Sequence, residues 1–344
     1  MSSSLANEAP TARTFRVLRL LSDREVRSGE DLARSLGVSR ASVWRALGCL
    51  ESVGVELLRV RGQGYRLGAP IDWLDSTEIR RHLGQQAETY ELRVVDVVES
   101  TNTMLLEHSV GGAASGVVLA AELQTRGRGR RGRVWHSGLG GALTFSVLWR
   151  FEQGAGFLAG LGLAVGVGLV RAVRSLGLED IMLKWPNDLV IRHRKVAGTL
   201  VEIHGDVLGP SLAVVGVGMN FRLHAATRER VDQAVTDLVT EGAPHDRNRL
   251  LGEVLLQLAR VVETFRASGF GPLRSEWESY HVYAGRRVVV RLPDGTLEEG
   301  TAAGVGEDGA LLLQTRSGLR RFHSGEVSLR AVGVGERRRG ASGF

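Results

Sequence analysis

Glu122-Leu123-Gln124-Thr125-Arg126-Gly127-Arg128-Gly129-Arg130-Arg131-Gly132-Arg133-Val134-Trp135 is a run of glycine and arginine set between two apolar segments. Gly116 to Ala121 reads as a strand before it. Gly140 to Arg150 resumes as a strand after it, with Leu143, Phe145, Val147 and Trp149 alternating on one face. Glycine lets backbone approach an anion, and guanidinium groups form bidentate, charge-assisted bonds to phosphate or carboxylate. The run therefore reads as a flexible loop that closes over a phosphate. Two rival readings are a solvated or RNA-binding arginine segment and a plain mobile loop. RNA-binding Arg/Gly tracts are longer and lie in disordered tails, whereas strands bound this one on both sides.

Outward from the loop, Val94 to Val98 reads as a strand ending in Glu99-Ser100-Thr101-Asn102, just before the helical Met104-Leu105-Leu106. Hydroxyl and amide groups at such a junction cap a helix or orient a polar ligand. Downstream, Lys184-Trp185-Pro186-Asn187-Asp188 places a tight turn after an Ile181 to Lys184 strand, and the chain returns through Lys195 into Val196 to Ile203. Taken alone, Asn187 and Asp188 are turn residues and Lys195 is a surface charge. Val214 to Gly218 is a further strand, ending in Met219-Asn220. Arg247 to Ala267 is an amphipathic helix through Leu251, Val254, Leu255, Leu258, Val261, Val262 and Phe265, which implies packing against the sheet and no chemistry. Short strands at Arg287 to Leu292, Leu297 to Gly300, Ala310 to Thr315 and Leu319 to Leu329, separated by Asp-Gly and Ser-Gly turns, predict a small C-terminal β-barrel.

The N-terminal stretch follows a different pattern. Val17, Leu18 and Leu21 mark one helix; Ser28 and Asp31 open a second that Gly37 ends; Ser39 caps a third whose inward face is Val43, Ala46, Leu47 and Leu50. Only Gly37 and Val38 separate the last two helices, which is helix-turn-helix spacing. Arg40, Ser42, Trp44 and Arg45 fall off the apolar stripe of the third helix. Arg59, Arg61 and Arg66 lie on a hairpin turning at Gly62-Gln63-Gly64. A helix with such an outer face reads DNA, and a basic hairpin beside it grips the backbone as a wing. The alternative is a helical docking module whose arginines are merely solvated. Gly68-Ala69-Pro70 punctuates the boundary.

The composition is compatible with this division. A chain of 344 residues suits two or three domains, and 43% hydrophobic with 24% charged residues is ordinary for a globular protein. One cysteine, Cys49, excludes an intramolecular disulfide and multi-thiolate zinc sites and fits a reducing cytoplasm. Residues 1–70 carry eleven arginines against seven acidic residues, and five more arginines fall between Arg126 and Arg133, so two separate basic regions exist. Met1 to Pro10 lacks the pattern of a signal peptide and reads as a loose arm. The longest apolar run, Phe157 to Val170, has 14 residues against the roughly 20 needed to span a bilayer, so it predicts a buried helix.

Ser100-Thr101-Asn102, Gln124 with the Gly127 to Gly132 run, Lys184 to Asp188, Lys195-Val-Ala-Gly198 and Gly216-Val-Gly-Met-Asn220, in this order and spacing, resemble biotin-protein ligases. With the winged helix in front, the chain resembles the bifunctional bacterial form that doubles as biotin operon repressor. The resemblance covers roughly residues 13–330 and implies an α+β protein of three units. These are a winged helix-turn-helix at 11–68, a catalytic domain of mixed α/β type similar to class II aminoacyl-tRNA synthetases at 75–280, and an SH3-like barrel at 283–332. The implied activity is that of an ATP-dependent biotin-[acetyl-CoA-carboxylase] ligase. It makes biotinyl-5′-AMP and transfers biotin to a lysine of the biotin carboxyl carrier protein, with Mg²⁺ carried on the ATP phosphates rather than by a cluster of protein ligands.

By the same resemblance, Ser100, Thr101, Asn102 and Gln124 line the biotin pocket. Arg128, Gly129 and Arg130 close over its carboxylate and the α-phosphate, and Lys195 balances charge where the two join. Arg131, Arg133, Trp135, Asn187 and Asn220 fall to the adenylate, and Asp188 orients or deprotonates the incoming lysine or helps place the metal. Arg40, Ser42, Trp44, Arg45, Arg59 and Arg61 fall to operator DNA. Implied partners are that operator and a second copy of the chain, joined on adenylate binding; no membrane is implied. One departure stands out: the repressor-type pattern packs a tryptophan on the adenine after the Gly-x-Gly-x-Asn run, and here no Trp occurs between Asn220 and Trp277. Two alternatives remain, a transcription regulator that senses biotin or biotinyl-AMP without ligating it, and a lipoate ligase on a related core. The first would not need Arg128, Arg130, Asp188 and Lys195 together. The Gly/Arg loop and Lys184 to Asp188 resemble the biotin branch, against the second.

Overall fold

The computed structural model describes residues 9–292 and 294–323, and the backbone of 328–331. Most of the expected N-terminal arm and the end of the third unit at 332 lie outside the described residues; Pro10, at the close of that arm, is buried. Helices α1 (Ala12–Leu20), α2 (Gly29–Leu36) and α3 (Arg40–Gly48) lead into the hairpin β1 (Leu57–Val60) and β2 (Gly64–Leu67). The caps are those the sequence predicts. Ser28 Oγ accepts from Asp31 N at 3.0 Å, Ser39 Oγ accepts from Ser42 N at 3.2 Å, and Gly37 closes α2 at φ 65°.

The core of this unit does not close on itself. Leu123 and Leu139 from the next unit are buried in it beside Phe15, Leu18, Leu47 and Leu67. In the linker, Trp73 meets Phe15 edge-on with ring centroids 6.3 Å apart and donates to Ser22 Oγ at 2.8 Å. Arg19 pairs with Asp96 at 2.5 Å across the joint. His224 stands in a slot of glycines at the same joint: a Cβ on Gly54, Gly138 or Gly141 would come within 2.7, 2.5 and 2.7 Å of its ring.

The second unit contains α4 (Ser76–Leu83), β3 (Glu91–Val98), α5 (Thr101–Val110), β4 (Val117–Gln124), β5 (Ala142–Phe151), α6 (Leu161–Ser175), β6 (Ile181–Lys184), β7 (Asp188–Ile191), β8 (Arg194–Gly205) and β9 (Ser211–Asn220). It continues through α7 (Ala225–Glu229), α8 (Arg247–Ser268) and α9 (Gly271–Tyr280). The sheet runs β3-β4-β5-β9-β8-β7-β6; β3 and β4 are parallel, joined by α5, and the other pairings are antiparallel. Alternation sorts the strands into two faces. Phe145, Val147, Val215, Val217 and Met219 are buried in one large apolar cluster with residues of α6 and α8. The apolar run Phe157 to Val170 largely becomes α6, whose side chains are mostly buried there. On the opposite face Leu119, Leu148 and Val214 pack on Leu105 of α5.

The turn between β7 and β8 is made by Arg192 and His193, both at positive φ, with neither glycine nor asparagine to announce it. Arg247, the first residue of α8, is fully buried against Glu122 of β4 at 2.5 Å. It also donates to the carbonyls of Asp72 at 2.7 Å and Ala142 at 3.0 Å, and Glu122 accepts from Leu74 N at 2.6 Å. The linker is thereby stapled to the sheet.

The third unit is the antiparallel sheet of β10 (Arg287–Arg291), β11 (Leu297–Val305), β12 (Leu311–Thr315), β13 (Gly318–Phe322) and β14 (Ser328–Ala331), ordered β13-β12-β11-β10-β14. The stretch read from Leu319 to Leu329 is two strands, because β13 pairs with β12 at one edge and β14 with β10 at the other.

Candidate active site

The site lies on the sheet face opposite α6 and α8, and the period of two explains why a hollow exists there. Gly216 pairs with Ser146 and Leu200, and Gly218 with Thr144 and Gly198, so two glycines occupy neighbouring positions on the central strand β9. A Cβ on Gly216 would lie 2.2 Å from Asn102 Oδ1, and one on Gly218 would lie 2.4 Å from the Trp135 ring. Asn102 and Trp135 rest directly on this floor. The Gly216-Val-Gly218 run is thus a steric requirement of the residues above it.

Over Gly216, the N-terminus of α5 forms a polar network. Gln124 Oε1 accepts from the Thr101 backbone N at 2.8 Å and its hydroxyl at 3.1 Å. Ser146 Oγ lies 2.6 Å from Thr101 Oγ1 and 2.5 Å from Asn102 Oδ1. Asn102 Nδ2 donates to Leu200 O at 3.3 Å and to Glu202 Oε2 at 2.7 Å. Thr101, Asn102 and Ser146 are buried, which fixes their orientation. Ser100 acts as the helix cap, with its hydroxyl 3.5 Å from Thr103 N.

The Gly/Arg run, expected as a flexible loop, doubles back as a narrow hairpin. Trp135 N donates to Gly127 O at 2.8 Å and Gly129 N to Arg133 O at 2.7 Å. Arg128 reaches Glu202 at 2.9 Å, and Arg130 Nη1 donates to Asn187 Oδ1 at 3.0 Å. Burial pulls the Arg130 guanidinium below its ordinary pKa, more than the charge of Asp188 lifts it; like charge on Arg131 and Arg133 lowers it further. Those two arginines are themselves exposed. Lys195 Nζ meets Asp188 Oδ1 at 2.7 Å and lies 5.7 Å from the centre of the Trp135 ring. Asn187 is held by Nδ2 to Thr199 O at 2.7 Å.

The structure therefore brings Arg130, Asn187, Asp188 and Lys195 together, and Thr101, Asn102, Gln124 and Arg128 beside them. Asn220 instead donates its amide to Thr236 O at 3.0 Å and braces the segment against which the Lys195 backbone pairs. Trp277 is buried in the core on α9, so it does not replace the tryptophan missing after Asn220. Sequence reading missed Ser146 and Glu202. A lone serine in the apolar run Leu143 to Trp149 was a visible signal for the first. The second had none, since its partners lie 74 and 100 residues away. A cavity of about 270 Å³ opens from Gln124 and Trp135 toward Val53 of the N-terminal unit.

In that N-terminal unit, Arg40, Trp44 and Arg45 are exposed on α3, and Arg59 and Arg61 on the hairpin. Arg66 is only half-exposed, and the Ser42 hydroxyl lies 3.0 Å from that of Ser39. The described residues hold no group of three His, Cys, Asp or Glu side chains placed to bind a metal.

Comparison with known proteins matches three stretches of the chain. Residues 94–220 match the Biotin/lipoate A/B protein ligase family, 283–330 the Biotin protein ligase C terminal domain and 13–66 an HTH domain. The chain is 36% identical over 318 residues to the Bifunctional ligase/repressor BirA of Escherichia coli, and 35% identical over 316 residues to that of Salmonella typhimurium. Each alignment covers 92% of this chain and 97% of the relative. The structure of the biotin protein ligase from Aquifex aeolicus in complex with biotin and ATP superposes with a TM-score of 0.60 at 32% identity, covering 70% of this chain and 98% of that one. With these models matched in order and relatives of 35–36% identity aligned over nearly the whole of both chains, the chain belongs to the family of bifunctional biotin-protein ligases and repressors.

Proposed function

We propose that this protein joins biotin to ATP as biotinyl-5′-AMP and passes the biotinyl group to a lysine of the biotin carboxyl carrier protein of acetyl-CoA carboxylase, and that its winged helix represses transcription at an operator. The observation that carries the catalytic half is the convergence of Arg130, Asn187, Asp188 and Lys195 beside the Thr101–Asn102–Gln124 network. The network is neutral and directional, suited to a ureido ring with its carbonyl and two N–H groups. The cations stand where negative charge gathers.

In the first step a biotin carboxylate oxygen attacks the α-phosphorus, the bond to the bridging oxygen breaks, and pyrophosphate leaves with the electron pair. Arg128, Arg130 and Lys195 stabilise the charge on the oxygens involved, an electrostatic preorganisation that removing a single group commonly reduces by about 10²–10³ in rate. Trp135, Arg131 and Arg133 border the nucleotide side. In the second step the lysine amine attacks the carbonyl of the mixed anhydride and AMP leaves. Asp188, hydrogen-bonded to Lys195, receives or directs the amine proton. Mg²⁺ would enter on the ATP phosphates, with the Asp188 carboxylate beside Lys195 placed to help hold it, and would supply neutralisation of phosphate charge.

On the DNA side, Arg40, Trp44 and Arg45 enter the major groove and Arg59 and Arg61 hold phosphates. Adenylate binding favours pairing of two copies for a two-part operator, in the cytoplasm where the single cysteine stays reduced. Incubating the protein with biotin, MgATP and a carrier domain yields AMP and an acceptor heavier by one biotin. AMP without a labelled acceptor would instead identify a sensor.

A further inference from the structure

Glu202 stands between two groups that the proposed function assigns to the ligand. Arg128 Nη2 donates to Glu202 Oε1 at 3.0 Å and to Oε2 at 2.9 Å, while Asn102 Nδ2 donates to Oε2 at 2.7 Å. The two bonds differ in permanence. Asn102 is buried, rests on Gly216 and is fixed by Ser146, so its amide stays in place. The side chains of Arg128 and Glu202 are 44% and 23% exposed, and an ion pair open to water to that degree is weak and readily exchanged. Glu202 can release Arg128 and still keep a donor. Arg128, on a glycine-rich hairpin, can turn to another carboxylate.

We propose that Glu202 is a placeholder carboxylate, a positioning residue that holds Arg128 across the pocket until the carboxylate of biotin takes the arginine from it. This rests on the reading that Arg128 meets the biotin carboxylate. The exchange lowers the apparent affinity for biotin, because the binding-competent arrangement is a fraction of the whole. It also sorts ligands by charge: a neutral biotinyl amide, which is the form of the transferred product, cannot compete for Arg128. The pair with Glu202 re-forms as product leaves.

The test compares biotin with biotinol, its neutral alcohol, by calorimetric titration of the full chain. Glu202→Gln keeps an acceptor for Asn102 and removes the charge that holds Arg128. Its dissociation constant for biotin, relative to that for biotinol, falls about two- to five-fold, the scale of a partly exposed ion pair. The KM for biotin in adenylate formation falls with it, and the gain disappears when Arg128→Ala is added. An unchanged ratio, or equal weakening of both ligands, overturns the placeholder role; biotinol binding reports that the pocket is folded. Should Arg128→Ala alone leave the ratio of the two ligands unaltered, the assignment of Arg128 to the carboxylate is what fails, and the placeholder role falls with it.

Discussion

Two guanidinium–carboxylate pairs in this molecule are chemically alike and differ only in their surroundings. Arg247 and Glu122 are 0% exposed and further bonded to the linker carbonyl of Asp72 and the backbone N of Leu74. Arg128 and Glu202 are partly open to water and join a loop to the mouth of the site. Burial makes the first pair a fixture, since a separated charge there would have no water to turn to. Exposure makes the second an exchangeable contact. The same two functional groups therefore hold the architecture in one place and remain available to a ligand in the other.

The sharpest way to break this comparison is at the buried pair. Arg247→Ala strands Glu122 and is expected to cost about 3–5 kcal/mol in urea unfolding; a cost near that of a surface substitution would refute the distinction. Lys195→Met tests a group of intermediate exposure. It is expected to lower the rate of adenylate formation about 10²–10³-fold with little change in the urea midpoint, and a shift in stability comparable to that of Arg247→Ala would place Lys195 with the fixtures.

A third test uses burial without a partner. The His281 ring stacks on Trp277 at 4.8 Å, both its nitrogens lack a hydrogen-bond partner among the described residues, and burial lowers its pKa to about 4. Because the folded value lies below the unfolded one near 6.5, its contribution is intact above pH 6.5 and is lost as pH falls toward 4 and below, about 3 kcal/mol when complete. Unfolding midpoints of His281→Leu should fall less steeply than wild type across that window. The smallest effect is expected at the exposed Arg19–Asp96 pair: Arg19→Ala costs about 1 kcal/mol or less, measured by thermal unfolding.

Local features were legible in the sequence. The caps at Ser28 and Ser39, the alternation in β5 and the Gly-x-Gly of β9 each depend on residues a few positions apart. What escaped depends on distance along the chain. Glu202 meets Arg128 and Asn102 across three elements, and Arg247 meets Glu122 125 residues away, so no window of sequence contains either pair. The return of the chain through Lys195 was legible, but not that Arg192 and His193 make the turn at positive φ, a conformation uncommon for arginine. The cations and amides singled out in the sequence lie close together in the fold, but the carboxylate bonded among them, Glu202, was not singled out.

The glycine slot around His224 sets a tolerance on the joint between the two functions. Gly54 follows the recognition helix, Gly138 and Gly141 follow the Gly/Arg hairpin, and the imidazole fills the space among them so closely that one methyl group on any of the three would collide with it. A side chain at any one of these glycines would force the imidazole, or the backbone that carries it, to move. At this slot the helix-turn-helix unit and the ligase domain meet through a single imidazole, with no room for a side chain at the three glycines around it.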